Sequence, residues 1–158
     1  MSGENKSKAG IKIISQNKKA FHDYHIVESY EAGLSLYGSE VKSLRGGHVQ
    51  LKDSYVVFKG KELFLQNCHI SPYSSSSYNN HLPERIRKLL LNRVEIDKII
   101  PQIKEKGLTM VPLKIYFKDG KAKVEIAIVK GKKEYDKRDD LKKRDAKREL
   151  DQLKRSSR

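Results

Sequence analysis

The sequence predicts an all-β fold with accessory helices: an OB-like closed antiparallel β-barrel of about six strands with two or three helices. Three observations support this fold class: several β-hairpin patterns, a glycine inside a strand at Gly33, and one amphipathic helix between hairpins. The chain lacks the regular alternation of strands and helices that a parallel sheet requires. We expect a flexible leader at 1–10, the barrel at 11–130 and a basic tail at 131–158.

The first predicted elements are a short strand or docking segment at 11–14 and a long strand at 24–36. Gly33 lies inside the long strand, where it suits the bulge or bend that a small barrel needs in order to close. A short helix is predicted at 38–47, with Ser39 as a possible N-cap and Gly46 just past its end.

Two hairpins are predicted, one at 53–66 around Gly60 and one at 109–129 around Asp119 and Gly120. A polar surface loop is expected at 68–82. In the second hairpin, alternation places one set of apolar side chains on each strand toward the core: Val111, Leu113, Ile115, Phe117, Val124, Ile126 and Ile128.

The helix between the hairpins begins after the basic and apolar run 85–91. Asn92 has the position of an N-cap, Glu95 the position of the residue that reaches back to it, and Gly107 ends the pattern. Pro101 conflicts with one straight helix, so a kink or two short helices are expected there.

The net charge of +14 and the pI near 9.8 indicate a polyanionic partner, with nucleic acid first and an anionic membrane second. From Lys130 to Arg158 there are thirteen Lys or Arg against seven Asp or Glu, so both body and tail are basic. The single Cys68 excludes an intramolecular disulfide and a cysteine-based zinc site. The sequence has no apolar leader and no long apolar span, so we expect a cytoplasmic protein without a membrane partner.

Catalytic patterns are weak, and we expect neither an enzyme nor a cofactor or metal. His22 and His25 would point to opposite faces of a strand, which argues against a metal pair. Glu31, Glu40 and Asp53 are interpreted as ion-pair or capping partners. For Glu31, acceptance of hydrogen bonds from exposed RNA base edges is a second possibility.

Cations interleaved with aromatic residues indicate nucleic-acid binding, because they combine phosphate attraction with base stacking. They occur in two groups: Lys18, Lys19, Phe21 and His22, and then Lys130, Lys132, Lys133 and Tyr135. Acid-first i,i+4 pairs in the tail, such as Asp139 with Lys143, favour a helix only weakly. We therefore expect a tail that is disordered when free and helical along a nucleic-acid groove.

Five blocks, in order from Asn17 to about Leu150, carry a resemblance: 31–34, 38–45, 53–55, 87–92 and 130–138. In these blocks the sequence resembles the SsrA-binding protein family, also called small protein B. The resemblance implies a barrel that binds the tRNA-like domain of transfer-messenger RNA and accompanies it to stalled ribosomes for trans-translation. It implies an adaptor with no catalytic role.

Partners implied in this way are transfer-messenger RNA and the ribosome, at its small-subunit rRNA and mRNA channel. Elongation factor Tu would be reached indirectly through the RNA, and the protein is expected to be a monomer. A general ribosome-associated RNA-binding or RNA chaperone protein is the alternative.

The expected RNA-binding residues combine the cationic groups with positions that the resemblance implies: Asn17, Lys18, His22, Glu31, Lys42, Arg45, Leu90, Asn92, Lys130, Lys132 and Lys133. The implied decoding-centre contacts are Tyr135, Asp136, Lys137 and Arg138. Some family members carry His where this chain has Tyr135; stacking remains available to tyrosine, but titration near neutral pH does not. Asn92 has two competing interpretations, a helix cap and an outward RNA contact.

Overall fold

The computed structural model describes residues 10–73, 80–105, 107–132 and 146–148. Over these ranges the chain forms nine strands and three helices, and residues 146–148 are also helical. In chain order the elements are β1 (Ile11–Gln16), α1 (Lys18–Asp23), β2 (Tyr24–Leu34), α2 (Gly38–Arg45), β3 (Val49–Gln50), β4 (Tyr55–Lys59), β5 (Glu62–Gln66), β6 (His69–Ile70), β7 (Arg87–Leu90), α3 (Arg93–Ile103), β8 (Leu108–Lys118) and β9 (Lys121–Gly131). The predicted flexible leader, before Gly10, lies outside the described residues. The predicted tail, expected to be disordered when free and helical when bound, also lies outside them beyond Lys132, apart from residues 146–148.

Seven strands form one antiparallel sheet in the order β1-β8-β9-β2-β7-β5-β4, and β3 pairs with β6 separately. This confirms a mostly-β fold with accessory helices. The expected closure is not made by hydrogen bonds, because no ladder joins β4 to the other end of the sheet among the described residues. The sheet nevertheless curls, since β4 lies beside β8.

Asn17 bridges the gap between β8 and the segment that leads into β4. Its side-chain amide donates to Pro112 O at 2.9 Å and to Leu51 O at 3.4 Å, and its backbone N–H donates to Leu113 O at 2.7 Å. Its Oδ1 accepts from the N–H of Ala20 at 3.2 Å and so caps α1, a short helix that the sequence did not predict. One buried amide therefore fixes α1 against the open side of the sheet.

The two predicted hairpins are confirmed as β4–β5 and β8–β9. Asp119 and Gly120 have φ values of +51° and +78°, as a two-residue type I′ turn requires. Gly60 has φ +62° at the first turn. These conformations explain why the Asp-Gly pair and Gly60 stand between the strands.

The expectation of a bulge at Gly33 is wrong, because the pairing of β2 with β9 is regular there. The register of this pair shifts instead between Ile26 and Glu28. Gly33 instead lies where β2 pairs with Lys123 on one side and Leu90 on the other. A Cβ at Gly33 would lie 3.3 Å from the Cβ of Leu90. Glycine is used here for a close approach between two strands.

The hairpin β8–β9 is buried on both faces, which the simple alternation did not predict. The apolar side chains of β8 that were expected on one face are divided by a register shift between Pro112 and Lys114. Of these, Ile115 and Phe117 pack in the main core. Val111 and Leu113 pack on the other face, in a second cluster with Ala20 of α1. A bulge reverses the direction of the side chains that follow it.

Helix ends were predicted less well than helix positions. The N-cap of α2 is Tyr37 and not Ser39, whereas Gly46 is confirmed as its C-cap. The helix α3 continues through Pro101 as one element, so the alternative of two short helices is wrong. None of the helices in the described ranges is long and apolar enough to span a membrane.

Candidate nucleic-acid interface

An open cleft of about 660 Å³ lies where β2, β7 and the start of α3 meet. It is lined by three residues of the predicted RNA-binding set: Glu31, Leu90 and Asn92. Lysines from three further strand or turn positions surround them: Lys61, Lys88 and Lys123. The cleft thus combines an acceptor, an apolar surface, an amide and several cations in one place.

The apolar surface of the cleft is Leu90, whose side chain is 51% exposed although it lies beside the core residue Leu89. Its partner across the ladder is Gly33, and the Leu90 side chain packs over that glycine. A neighbouring hollow shares Gly33 and Leu90 and extends to Val41 of α2. An exposed leucine between cations offers a flat apolar contact for a nucleobase while the cations attract phosphates.

Glu31 is one of three glutamates that line the cleft, with Glu62 and Glu95, and two side chains from β8 hold it. The hydroxyl of Tyr116 donates to Glu31, and Lys118 Nζ lies 3.4 Å from its Oε1. The Tyr116 hydrogen bond, aided by the charge of Lys118 and opposed by partial burial, lowers the pKa of Glu31 below its ordinary value. Glu31 is therefore ionised at neutral pH and acts as a hydrogen-bond acceptor only.

Asn92 is at the N-cap position of α3, with φ −66° and ψ 147°, but its side chain makes no capping hydrogen bond. The first helical bond runs from the N–H of Ile96 to the backbone carbonyl of Asn92 at 3.0 Å. The interpretation of its side chain as a helix cap is therefore wrong. The side chain is exposed and lines the cleft.

A second group of predicted residues lies around α1 and the root of the tail. Lys18 and Lys130 are exposed, and His22 Nδ1 lies 2.9 Å from Asp23 Oδ1. The N–H of Lys132 donates to Asp23 O at 2.8 Å, and its Nζ donates to Phe21 O at 3.3 Å. The start of the tail is therefore held against the end of α1.

The remaining predicted residues fall into three classes. Lys42 and Arg45 are exposed on α2, with Lys42 Nζ 5.4 Å from the ring centroid of Tyr73. Asn17 is buried and bonded within the protein, as described above. The other predicted contacts lie outside the described residues: Lys133, Tyr135, Asp136, Lys137 and Arg138.

A buried charge network fixes β7 against the start of α2. Glu40 accepts from Arg87 Nε at 2.5 Å, from Arg85 Nη2 at 2.5 Å and from the N–H of Tyr37 at 2.8 Å. Burial alone would raise the pKa of Glu40, but these hydrogen bonds outweigh it and the pKa lies below its ordinary value. The capping and ion-pair roles predicted for Glu40 are both present, and the pairing predicted for Asp53 is made with Lys19 at 2.8 Å.

Among the residues that the structure describes, side chains with metal or thiol chemistry are not assembled into a site. Within the described ranges, no cluster of three or more His, Cys, Asp or Glu side chains is arranged to hold a metal ion. His22 lies in α1 and His25 lies in β2, so the two histidines are not on one strand. Burial raises the pKa of the Cys68 thiol to about 12, so it is unreactive in the native state.

The sequence of this chain is similar to those of known proteins over most of its length. A family model described as "SmpB protein" matches residues 14–156. The chain belongs to the SmpB family. The resemblance seen in the sequence is thereby confirmed, and it extends further into the tail than the motif blocks that carried it.

Relatives within the SmpB family are close in length and sequence. An SsrA-binding protein of Bdellovibrio bacteriovorus is 64% identical over 135 residues, which cover 85% of this chain and 89% of that protein. An SsrA-binding protein of Syntrophobacter fumaroxidans is 54% identical over 147 residues, covering 93% and 91%. A solved chain described as "tmRNA-SmpB: a journey to the center of the bacterial ribosome" is 49% identical, with a TM-score of 0.66, covering 76% of this chain and 85% of its own.

Several residues that line the cleft or contact Glu31 were missed by the sequence reasoning, and for most of them a usable signal existed. Tyr116, Lys118 and Lys123 alternate with the core positions Ile115, Phe117 and Val124, so strand periodicity places them together on the outer face. Lys61 and Lys88 were passed over as ordinary turn and strand cations. The burial of Arg87 had no such signal, because it depends on the distant acid Glu40.

Proposed function

We propose that this protein binds the tRNA-like domain of transfer-messenger RNA and delivers it to stalled ribosomes for trans-translation. The observation that carries the proposal is the cleft in which Glu31, Leu90 and Asn92 meet the surrounding lysines. Membership of the SmpB family and relatives named SsrA-binding protein support the identity of the RNA.

In this proposal the cleft supplies specificity and the lysines supply affinity. Glu31 accepts from an unpaired base edge, Leu90 packs on the face of a base, and Asn92 offers both donor and acceptor groups. The cations of α1, α2 and the tail root contact phosphates; Lys18, Lys42, Arg45 and Lys130 are exposed, and Lys132 is half-buried. Asn17 contributes indirectly, because its buried side chain positions the helix that carries Lys18.

The body at 11–130 acts in this account as one OB-like barrel. We attribute its closure to the approach of β4 to β8 and to the hydrogen bonds of Asn17 across the seam, instead of to a continuous ladder. The ladder of β9 includes Gly131, which lies at the junction between this body and the proposed tail.

The tail at 131–158 is proposed to probe the vacant decoding centre and the mRNA channel. Tyr135 would stack on a ribosomal base, while Lys133, Asp136, Lys137 and Arg138 would fix the segment by charge and hydrogen bonds. The anchoring of Lys132 to the end of α1 supports this role, because it gives the tail a defined starting direction from the body.

In this proposal the protein is a monomeric cytoplasmic adaptor and performs no catalysis. Its partners are transfer-messenger RNA and the small ribosomal subunit, and it meets elongation factor Tu indirectly through the RNA.

Competition between RNAs tests the proposal against a general ribosome-associated RNA-binding or chaperone role. Labelled tRNA-like RNA is bound at fixed salt and displaced either by the same RNA or by bulk RNA of equal nucleotide concentration. An adaptor requires at least about a thousandfold preference for the tRNA-like RNA, since specific nucleic-acid sites typically exceed non-specific binding by such factors. Equal displacement, with a salt slope of roughly −0.7 to −0.9 per phosphate, supports the general role.

A further inference from the structure

The phenol of Tyr116 has an unusual position for a residue on the charged face of the sheet. Tyr116 is only 4% exposed to solvent, although its neighbours on the same face of β8 are Lys114 and Lys118. In the register of the sheet it lies between Ile13 of β1 and Lys123 of β9. Lys114 Nζ lies 5.8 Å from the centroid of its ring. The ring is thus fixed by its neighbours while its hydroxyl reaches across to Glu31 of β2.

Glu31 itself is much freer than Tyr116, because its side chain is 40% exposed at the edge of the cleft. An exposed glutamate samples several rotamers, and ordering it on binding costs conformational entropy. A hydrogen bond from a buried, immobile donor selects the rotamers in which one oxygen contacts that donor. The carboxylate has about four lone-pair sites, so it can still accept from a ligand.

We propose that Tyr116 is a positioning residue of the RNA site, which orders the carboxylate of Glu31 so that it accepts N–H groups from an unpaired base edge in the cleft. The inference rests on the proposed function of the cleft, and it adds a residue that touches no RNA. Because a carboxylate has no donor, it favours base edges that present N–H groups over edges that present only acceptors.

Lys118 is a weaker candidate for the same role. Its Nζ lies 3.4 Å and 3.5 Å from the two oxygens of Glu31, at the end of a flexible side chain that is 40% exposed. Exposed pairs of this kind contribute little fixed geometry. Lys118 also attracts phosphates, so its removal changes the salt dependence of binding, whereas removal of a phenolic hydroxyl does not.

A double-mutant cycle in the full-length protein tests the inference. Affinity for the tRNA-like RNA is measured for wild type, Tyr116→Phe, Glu31→Gln and the double variant, with Tyr55→Phe as a control for loss of a hydroxyl elsewhere on the sheet. We expect Glu31→Gln to weaken binding by about tenfold or more and Tyr116→Phe by about fivefold. In the Glu31→Gln background, Tyr116→Phe should then change affinity by less than about twofold, since its effect acts through Glu31.

The outcomes separate this inference from the function on which it rests. If Tyr116→Phe binds like wild type, or if its loss multiplies fully with that of Glu31→Gln, the positioning role is overturned while the cleft remains the RNA site. If wild type does not prefer the tRNA-like RNA, or Glu31→Gln leaves affinity unchanged, the proposed function of the cleft is overturned together with the inference.

A second measurement does not need RNA. The carboxyl ¹³C shift of Glu31 is followed by NMR as pH is varied in free wild type and in Tyr116→Phe. Loss of the hydroxyl should raise the pKa of Glu31 toward its ordinary value of 4.5, while Tyr55→Phe leaves it unchanged. An unchanged titration of Glu31 in folded Tyr116→Phe contradicts the inference.

Discussion

The carboxylate of Glu40 accepts a hydrogen bond from Nε of Arg87 at 2.5 Å, and both side chains are completely buried. The guanidinium of Arg87 also donates to the carbonyl of Cys68 at 2.5 Å, so its charge and its donors are used within the protein. Two elements remote in sequence, α2 and β7, are held together at this point. Because β7 ends at Leu90 and Asn92 follows two residues later, the network fixes one side of the cleft.

The first prediction concerns the loss of this pair. Glu40→Gln leaves two arginines near an uncharged acceptor, and breaking a buried pair by removing one partner costs about 3 kcal/mol or more. Urea unfolding should show a loss of that size. As a control, Asp97→Asn removes an exposed partner of Arg93 at 3.9 Å, for which a change of about 0–0.5 kcal/mol is expected. Equal effects of the two substitutions would refute a stabilising role of the buried network.

The second prediction is a dependence of stability on acid. The pKa of Glu40 is lower in the native state than its ordinary value of 4.5, so the unfolded state binds more protons than the native state in the range below 4.5. This contribution is present above about pH 4.5 and is lost as pH falls through the native pKa. The difference in unfolding free energy between wild type and Glu40→Gln should therefore shrink from pH 6 to pH 3. A difference that stays constant over this range would contradict the assignment.

The third prediction separates two asparagines that occupy N-cap positions. Asn17 caps α1 and donates across the seam of the sheet, so Asn17→Ala should destabilise the fold by about 1–2 kcal/mol. Asn92 makes no side-chain cap, so Asn92→Ala should cost less than about 0.5 kcal/mol and should instead weaken RNA binding. Asn92→Ser should weaken binding as well, because serine retains a capping oxygen but lacks the amide. Near-normal affinity of Asn92→Ser would favour a capping role.

The fold was predictable wherever its cause was local. Gly60 and the pair Asp119–Gly120 adopt positive φ, and such turn residues stand out in a sequence. The curling of the sheet, the bulge after Pro112 and the double-sided burial of β8 and β9 depend on contacts between distant segments, and periodicity alone carries no information about them.

The candidate site was predictable in part for the same reason. Glu31, Leu90 and Asn92 were selected through the family resemblance, and the structure brings them to one cleft. Tyr116 was missed although its strand was assigned, because residues on the outer face were treated as solvent-facing. Arg87 was assigned only to the basic and apolar run before the helix, since the sequence does not show that Glu40 would meet it in the core.

The fourth prediction concerns the single thiol. The pKa of Cys68 is raised to about 12 by burial, compared with about 8.5 for a free cysteine, so its thiolate fraction at pH 8 falls by about three orders of magnitude. A thiol reagent should label the native protein very slowly and the guanidinium-unfolded protein at the normal rate. Rapid labelling under native conditions would show that the region around Cys68 opens readily or is exposed.

The division of work between body and tail is tested most directly by a chain that ends at Lys132, compared with the full-length protein in two assays. One assay measures affinity for the tRNA-like RNA, and the other measures release of ribosomes stalled on a truncated message. The account predicts that affinity falls by less than about tenfold, because the cleft and its lysines remain, while ribosome rescue is lost. Rescue that persists without the tail, or RNA binding that disappears with it, would contradict the account.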